Sequence, residues 1–568
     1  MSFAEFLKST VFKSKAVKLL EKAEKLRLEG DLEAALVIYN NAIAEDPKLA
    51  NAYVGRGSTY SLLGKNENAL DDFSKAIIID PAVPEFYHLR AVTYYNMDKT
   101  DKAINDFKKV LELNPSEKDV YYSLGIIYSD NNMESEAISC FTSAVNIDPD
   151  YFEAVKKRAD LLYNTDKFEE AIEVFNRAID LRSDMSVLYL NRGNAKFALK
   201  QFQESIADFE KALSNDPENI SIYYNIGLSY YSMEDYTHAI EAFNKALSIS
   251  GDFSDIFYYL GNSKYNTGDF NGAMGDFSEA LTQNPNNLLA LFARGNLHFS
   301  LGNNEQAIED YDKVCQIDNS NPLLYYNRGN AYYNLKQHER AIENYDLAIE
   351  LSPDYSDALI NRGNAKYALG DTNSAIQDYL QSLTFDPENG TTHFNIGIAL
   401  FSIGEVEDAI PHFEKAVELN PEFTDGYFML GYAKQNKSEF SGAVSAYSKV
   451  IELTGDNPVA YYNRAYAKVD MEDYEAAVSD FSEAIKLKAD YFEAYKNRAK
   501  SYLKMDKPDE AIGDLLIAVQ INPSYSLGFF ELGKLYLDND QKEKGLECLN
   551  KAKELGSWKA EELLNSLG

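Results

Sequence analysis

The sequence has few of the residues that build disulfide frameworks, bind nucleic acid or cross a membrane. Its only cysteines, Cys140, Cys315 and Cys548, lie far apart and form no CxxC pair, so we expect no disulfide framework and a reducing compartment. The 55 lysines and arginines are outnumbered by 90 aspartates and glutamates. The resulting net charge of −35 argues against nucleic acid and anionic membrane surfaces as partners.

Signals for targeting and for catalysis are also missing. The N-terminal stretch MSFAEFLKSTVFKSK has no apolar run followed by a cleavage site, so it does not predict a signal peptide. No apolar stretch approaches the roughly 18 residues of a membrane-spanning helix. Motifs of the types GxxxxGK[ST], HExxH and GxSxG are absent, and we predict a cytoplasmic protein that is not an enzyme and needs no cofactor or metal.

What the sequence does have is a period of 34 residues. A small residue recurs at each step from Ala35 to Gly545, without insertion or deletion, which defines sixteen repeats. With that residue as position 20, position 8 is Gly or Ala in all sixteen repeats, and position 24 is Tyr or Phe in fourteen. Positions 4, 7, 8 and 11 share one helical face, as do 20, 24 and 27, so each repeat is predicted to be a helix–turn–helix.

The packing of such a repeat follows from these residue types. Small residues at positions 8 and 20 allow the first helix (helix A) and the second (helix B) to approach closely, and the ring at position 24 fills the space between them. Proline at position 32, present in ten repeats, ends helix B. One repeat cannot bury its apolar faces alone, so neighbours are expected to stack.

The pattern resembles that of the tetratricopeptide repeat family, which has an aromatic residue at position 4, Leu-Gly at 7–8, Tyr at 11, Ala at 20, Phe at 24 and Pro at 32. The resemblance covers nearly the whole chain. It implies an all-α, right-handed superhelical solenoid, with sixteen repeats over residues 16–557 and capping helices at 1–15 and 558–568. Position 7 departs from the family pattern, because it is often arginine.

Arginine at position 7 occurs in nine repeats, and in seven of these position 23 is aspartate. Among the seven repeats without that arginine, only one has aspartate at position 23. A guanidinium fork suits a carboxylate at close range, so we predict an ion pair between helices A and B of one repeat. Arg362 should contact Asp378, and Arg328 should contact Asn344.

The resemblance also implies a function. Helix A of such proteins lines a concave groove through positions 2, 5, 6, 9, 12 and 13, and that groove binds extended peptides. The expected function is therefore a non-catalytic protein–protein interaction scaffold that binds partner proteins or peptides. The alternatives are a regulatory or targeting subunit of an enzyme or polymer-assembly complex, and a glycan-binding groove. The oligomeric state is left open.

Amides and aromatic rings occupy these groove positions. An asparagine can grip a peptide backbone of any sequence, and a tyrosine adds rigid contact area. The candidate ligand-binding residues at positions 6 and 9 are Asn191, Asn194, Asn225, Asn262, Asn296, Asn327, Asn330, Asn361, Asn364 and Asn395, and those at positions 5 and 12 are Tyr224, Tyr258, Tyr326 and Tyr333. In the alternative interpretation, the asparagines bridge adjacent repeats and the rings pack on one another.

Two further features stand out against this pattern. Lys496, Lys500 and Lys504 follow one face of helix A in repeat 15; they form either a solvated stripe or a site for an acidic side chain or a C-terminal carboxylate. Residues 250–276 contain Gly272 and Gly275 within a predicted helix, and we expect the most flexible point of the chain there.

Overall fold

The computed structural model describes residues 14–250 and 253–567. All regular structure in these residues is helical, and the chain divides into two compact units, Met1–Pro285 and Asn286–Gly568. The helices of the first unit are α1 (Lys15–Leu28), α2 (Leu32–Glu45), α3 (Ala50–Leu62), α4 (Asn66–Ile79), α5 (Pro84–Tyr95), α6 (Thr100–Leu113), α7 (Lys118–Asp130), α8 (Glu134–Ile147), α9 (Phe152–Asn164), α10 (Phe168–Leu181), α11 (Ser186–Ala198), α12 (Phe202–Asn215), α13 (Ile220–Ser232), α14 (Tyr236–Ile249), α15 (Ser254–Asn266) and α16 (Phe270–Gln283).

The second unit continues with the same alternation. Its helices are α17 (Leu288–Ser300), α18 (Asn304–Ile317), α19 (Pro322–Asn334), α20 (His338–Leu351), α21 (Ser356–Ala368), α22 (Thr372–Phe385), α23 (Gly390–Ser402), α24 (Val406–Leu419), α25 (Thr424–Asn436), α26 (Phe440–Thr454), α27 (Pro458–Asp470), α28 (Tyr474–Leu487), α29 (Phe492–Lys504), α30 (Pro508–Ile521), α31 (Ser526–Asp538), α32 (Lys542–Glu554) and α33 (Trp558–Leu567). Within each unit, every odd-numbered helix from α1 to α31 packs on the even-numbered helix that follows it. The predicted all-α solenoid is confirmed.

The rings at position 24 form the centre of fourteen of the sixteen helix pairs. Tyr345 on α20 is almost completely buried, and its edge lies against Gly329 on α19. A Cβ at Gly329 would lie 2.6 Å from Cε1 of Tyr345, so only a very small residue fits at position 8. This is the close approach that the sequence pattern predicts.

The helix-pair turns place position 15 in a left-handed conformation in every repeat. Six of these residues are glycine, such as Gly370 with φ +86°, and ten are not, such as Lys336 with φ 59°. The N–H of Asp371 donates to the carbonyl of Lys366, which closes the end of α21 in the manner of a Schellman motif. Glycine adopts the left-handed conformation without strain, whereas a Cβ raises the energy of that backbone conformation.

The position-7 arginines make the predicted ion pairs. Arg90 on α5 donates Nε and Nη2 to the two carboxylate oxygens of Asp106 on α6, at 2.7 and 2.8 Å. The same fork joins Arg56 to Asp72, Arg192 to Asp208, Arg294 to Asp310, Arg362 to Asp378, Arg464 to Asp480, and Arg498 to Asp514. Arg328 donates Nε to Asn344 at 2.6 Å, as predicted.

Seven of these arginines make a third contact that the prediction did not include. Nη1 of Arg90 donates at 3.0 Å to the hydroxyl of Ser74, which lies at position 25 of the preceding repeat. The same inter-repeat contact links Arg56 to Asn40, Arg192 to Asn176, Arg328 to Asp312, Arg362 to Asp346, Arg464 to Ser448, and Arg498 to Ser482. The arginine therefore connects three helices, and it joins one repeat to its predecessor as well as closing its own.

Several other predictions fall at the ends and at the expected flexible point. Residues 1–13, which include most of the predicted N-terminal helix, and Gly251 lie outside the described residues. A helix is present at the C-terminus, where Ala560 packs on Leu549 and Ala552. Helix α16 runs without a break through Gly272 and Gly275.

The left-handed turns predict a change in stability. Replacing Lys336 by glycine should remove a strained φ and stabilise the second unit by about 0.5–1 kcal/mol. Gly370→Ala is the reciprocal control: its Cβ would meet no atom within 4 Å, so only backbone strain is added, and stability should fall. Urea unfolding midpoints measure both changes. A lower midpoint for Lys336→Gly would contradict this account.

The arginine fork predicts that stability falls when a buried carboxylate loses its arginine partner. Arg90→Met should lower stability by about 3 kcal/mol, because Asp106 would remain buried without its cation. Arg158 is the matched control in the same unit: position 23 of its repeat is Val174, and the buried Nε of Arg158 has no hydrogen-bond partner.

Arg158→Met should therefore leave stability unchanged or raise it, because it removes an unsatisfied polar atom and strands no carboxylate. Urea-induced unfolding followed by circular dichroism gives both values. Equal losses for Arg90→Met and Arg158→Met would show that the arginines act through their apolar stems and not through the ion pair.

Candidate functional site

The candidate asparagines of the second unit form a ladder of hydrogen bonds along helices α17, α19, α21 and α23. At each step, the asparagine at position 6 donates Nδ2 to Oδ1 of the asparagine at position 9 of the preceding repeat. The N···O distances are 3.0 Å from Asn327 to Asn296, 2.9 Å from Asn361 to Asn330, and 3.3 Å from Asn395 to Asn364. We call these six residues the amide ladder.

Buried tyrosines hold the amide ladder from behind. The hydroxyl of Tyr345 donates to Oδ1 of Asn330 at 2.8 Å, and burial raises the pKa of Tyr345, so this hydroxyl keeps its proton. The same bond, also at 2.8 Å, links Tyr311 to Asn296 and Tyr379 to Asn364. Each position-9 oxygen thus accepts two hydrogen bonds, which fixes the orientation of its amide.

Within the described residues, these hydrogen bonds leave some amide atoms of the ladder unpaired. Nδ2 of Asn296 and Asn330, and Oδ1 of Asn327 and Asn395, have no partner among the described residues. All four side chains are partly exposed. The amide ladder therefore presents donors and acceptors from rigidly held side chains, and these are the groups that pair with a peptide backbone.

A cavity of about 210 Å³ lies at the centre of the amide ladder. It brings together predicted residues from two neighbouring repeats, Asn330 and Tyr333 on α19 with Asn361 and Asn364 on α21. Phe299, Asn334 and Tyr345 complete its lining. Positions 6, 9 and 12 of helix A therefore share one face, as the sequence predicted.

The first unit repeats the arrangement over a shorter stretch. Asn225 donates to Asn194 at 2.8 Å, in the same register as the amide ladder. Asn191 donates instead to the carboxylate of Asp160 at 3.1 Å, and Asp160 is a residue that the prediction did not include. The predicted Asn262 differs, because its buried Nδ2 has no hydrogen-bond partner.

The candidate tyrosines at position 5 contribute mainly to packing. The ring of Tyr224 lies 6.2 Å from that of Phe243, and Tyr258 lies 5.0 Å from Tyr259, measured between ring centroids. Tyr326 lies 5.0 Å from Tyr355, and its hydroxyl accepts a hydrogen bond from Asn361 at 3.2 Å. The alternative interpretation, in which asparagines bridge repeats and rings pack together, is confirmed for these residues.

The three lysines of repeat 15 line a second cavity, of about 520 Å³. Lys496, Lys500 and Lys504 have no carboxylate within 4.0 Å among the described residues, and Nζ of Lys496 lies 5.6 Å from the ring centroid of Phe492. Lys534, in the next repeat, is not part of this lining. Lys500 and Lys504 are exposed and Lys496 is half-buried, so the lysines lie at the mouth of this cavity and are also accessible to solvent.

A sequence feature distinguishes the repeats that have supporting tyrosines. Position 24 is Tyr, rather than Phe, in each of the three repeats whose position-9 asparagine belongs to the amide ladder. In repeats 6 and 8, Asn194 and Asn262 are paired with Phe209 and Phe277. A tyrosine at position 24 therefore identifies the ladder repeats in which the position-9 asparagine accepts a hydrogen bond from helix B.

Other kinds of site find little support in the described part of the chain. Residues 14–250 and 253–567 contain no group of three or more His, Cys, Asp or Glu side chains able to hold a metal ion. Burial raises the pKa of Cys140 to about 11, which disfavours the thiolate form that a nucleophile needs. Among the described helices, none combines the length and apolar character needed to span a membrane.

Comparison with known proteins identifies the repeats. Models described as "TPR repeat" match residues 193–234, 295–336 and 363–404. Models described as "Tetratricopeptide repeat" match residues 50–83, 84–117, 118–151, 135–186, 220–253, 322–355, 391–423 and 462–526. Together these matches cover more than half of the chain. The search of curated proteins finds no match.

Solved structures with similar chains are much shorter or share little sequence. "Crystal structure of YrrB: a TPR protein with an unusual peptide-binding site" is 28% identical over 33% of this chain and 97% of its own, with a TM-score of 0.30. MamA is 28% identical over 28% of this chain and 95% of its own, at 0.28. The Cut9–Hcn1 complex is 15% identical over 92% of this chain and 96% of its own, at 0.30.

Proposed function

The chain belongs to the tetratricopeptide repeat family, and we propose that it is a non-catalytic scaffold that binds extended segments of partner proteins along the helix A face. Repeats of this family form protein-interaction scaffolds and are in general non-catalytic. The observation that supports binding along this face is the amide ladder, whose unpaired donors and acceptors are held in place by buried tyrosines.

Preorganisation supports this proposal. A side chain that is already fixed loses little conformational freedom when a partner binds, so more of the interaction energy appears as affinity. Oδ1 of Asn330 is fixed by Tyr345 and Asn361, while Nδ2 of Asn330 is left to donate outward. Ladder asparagines are uncharged, so they suit a peptide backbone irrespective of the partner's sequence.

Alanine variants distinguish a ladder that binds peptides from a ladder that only bridges repeats. Asn327→Ala, Asn361→Ala and Asn395→Ala together remove both the inter-repeat bonds and the outward acceptors. We expect capture of peptides from a displayed library of random linear sequences to fall by at least about tenfold, at roughly 0.5–1.5 kcal/mol for each lost hydrogen bond.

The matched control removes the support without removing the ladder. Tyr311→Phe, Tyr345→Phe and Tyr379→Phe together delete the three hydroxyls and leave every ladder asparagine in place. This variant should melt at a lower temperature and, because its ladder asparagines are present but less rigidly held, lose less of its peptide capture than the alanine variant. If the alanine variant captures peptides as well as the unaltered chain while its melting temperature drops, the ladder is structural only and the proposal fails.

A further inference from the structure

Repeat 15 lacks the ring that fills the centre of most other repeats. Position 24 is aromatic in fourteen repeats, but in repeat 15 it is Leu515 on α30. Leu515 is buried and faces the same cavity as Ala499, the position-8 residue on α29. A leucine is smaller than the phenylalanine or tyrosine of the fourteen preceding repeats, so repeat 15 leaves volume unfilled that a ring occupies in those repeats.

The resulting cavity is larger than its counterpart in the amide ladder. Its volume is about 520 Å³, against about 210 Å³ for the cavity beside Tyr345. This size lies within the range of about 300–1,000 Å³ that is typical of ligand pockets. Besides Leu515 and Ala499, its lining includes the apolar or aromatic side chains of Leu503, Tyr525 and Leu527.

Positive charge borders this apolar cavity. Lys496, Lys500 and Lys504 all contribute to the lining, and none has a carboxylate within 4.0 Å among the described residues. Glu531 is the one carboxylate in the lining, so three cations and one anion give a local charge of +2. The whole chain has a net charge of −35, so the charge at this cavity is opposite in sign to that of the chain.

We propose that this cavity, which we call the lysine pocket, binds an aromatic side chain of a partner segment whose neighbouring residues are acidic. The ring enters the space beside Leu515, and the flanking carboxylates meet Lys496, Lys500 and Lys504. The inference rests on the proposed function, because both place a partner segment on the helix A face, and it assigns this part of the face a specific chemistry.

Shape and charge together favour this partner. An aromatic ring supplies a large apolar surface for the cavity and a π face for a lysine ammonium, which already lies over a ring in the case of Lys496 and Phe492. Acidic neighbours complement the unpaired lysines and speed the encounter. A nucleic acid would also offer rings and anions, but the strongly negative chain repels a long polyanion.

Peptide binding to the full chain tests the lysine pocket directly. The probe is a short fluorescent peptide with one phenylalanine flanked by aspartates and glutamates, followed by fluorescence anisotropy. Its affinity should exceed by at least about tenfold that of the same peptide with Phe→Ala, and that of a version with Asn and Gln in place of the acids. Equal binding by all three peptides would overturn the inference.

Leu515→Phe is the most specific protein variant. It restores the ring of the fourteen other repeats and fills the cavity, and a ring beside alanine is already accommodated where Phe481 packs beside Ala465. The variant should fold and melt like the unaltered chain but bind the acidic phenylalanine peptide at least about tenfold more weakly. A correctly folded Leu515→Phe chain with unchanged affinity would contradict the proposal.

The charge is tested separately. Lys496→Gln with Lys500→Gln should weaken binding at least about tenfold and reduce its salt dependence, whereas Lys534→Gln, outside the lining, should change neither. If random peptides are captured but the acidic phenylalanine peptide is not, the inference fails and the proposed function stands.

Discussion

In the repeats that have arginine at position 7, the packing of the helices depends on the hydrogen-bonded fork that this side chain makes. Arg90 holds Asp106 on the second helix of its own repeat and Ser74 on the last helix of the repeat before. One side chain thereby fixes the geometry within a repeat and the junction between two. Because the guanidinium is occupied by these contacts, the recurrent arginine at position 7 has a structural role, and the proposed binding surface consists of other residues of the same helix.

That surface is built on the same framework. Asparagines at positions 6 and 9 bridge neighbouring repeats, and the tyrosines behind them belong to the layer of rings that fills fourteen of the helix pairs. Structural and binding roles are therefore not alternatives at the amide ladder. Oδ1 of Asn330 accepts hydrogen bonds from Tyr345 and Asn361, which makes this side chain rigid. Its amide hydrogens are left to donate to a bound partner. The lysine pocket arises from the opposite condition, since Leu515 leaves the ring layer incomplete.

The shared features of the repeats could be predicted from the sequence, and the differences between them could not. A strict period of 34 residues places the helices, and correlated Arg and Asp residues predict the ion pair within each repeat. The third contact of the arginine was missed because it joins residues of two repeats, although position 25 before each of the nine arginines is Asn, Ser, Thr or Asp. A cavity depends on the volumes of side chains from several helices, so the exchange of one ring for Leu515 gave no periodic signal.

A crystal structure of the chain with a peptide selected from a random library would test the central claim most directly. The account predicts an extended peptide along the helix A face of the second unit, with backbone N–H or C=O groups within about 2.7–3.2 Å of the amide ladder at Asn296, Asn327 or Asn330. A peptide bound on helix B, or one held on helix A through its side chains alone with no backbone contact to these asparagines, would contradict it.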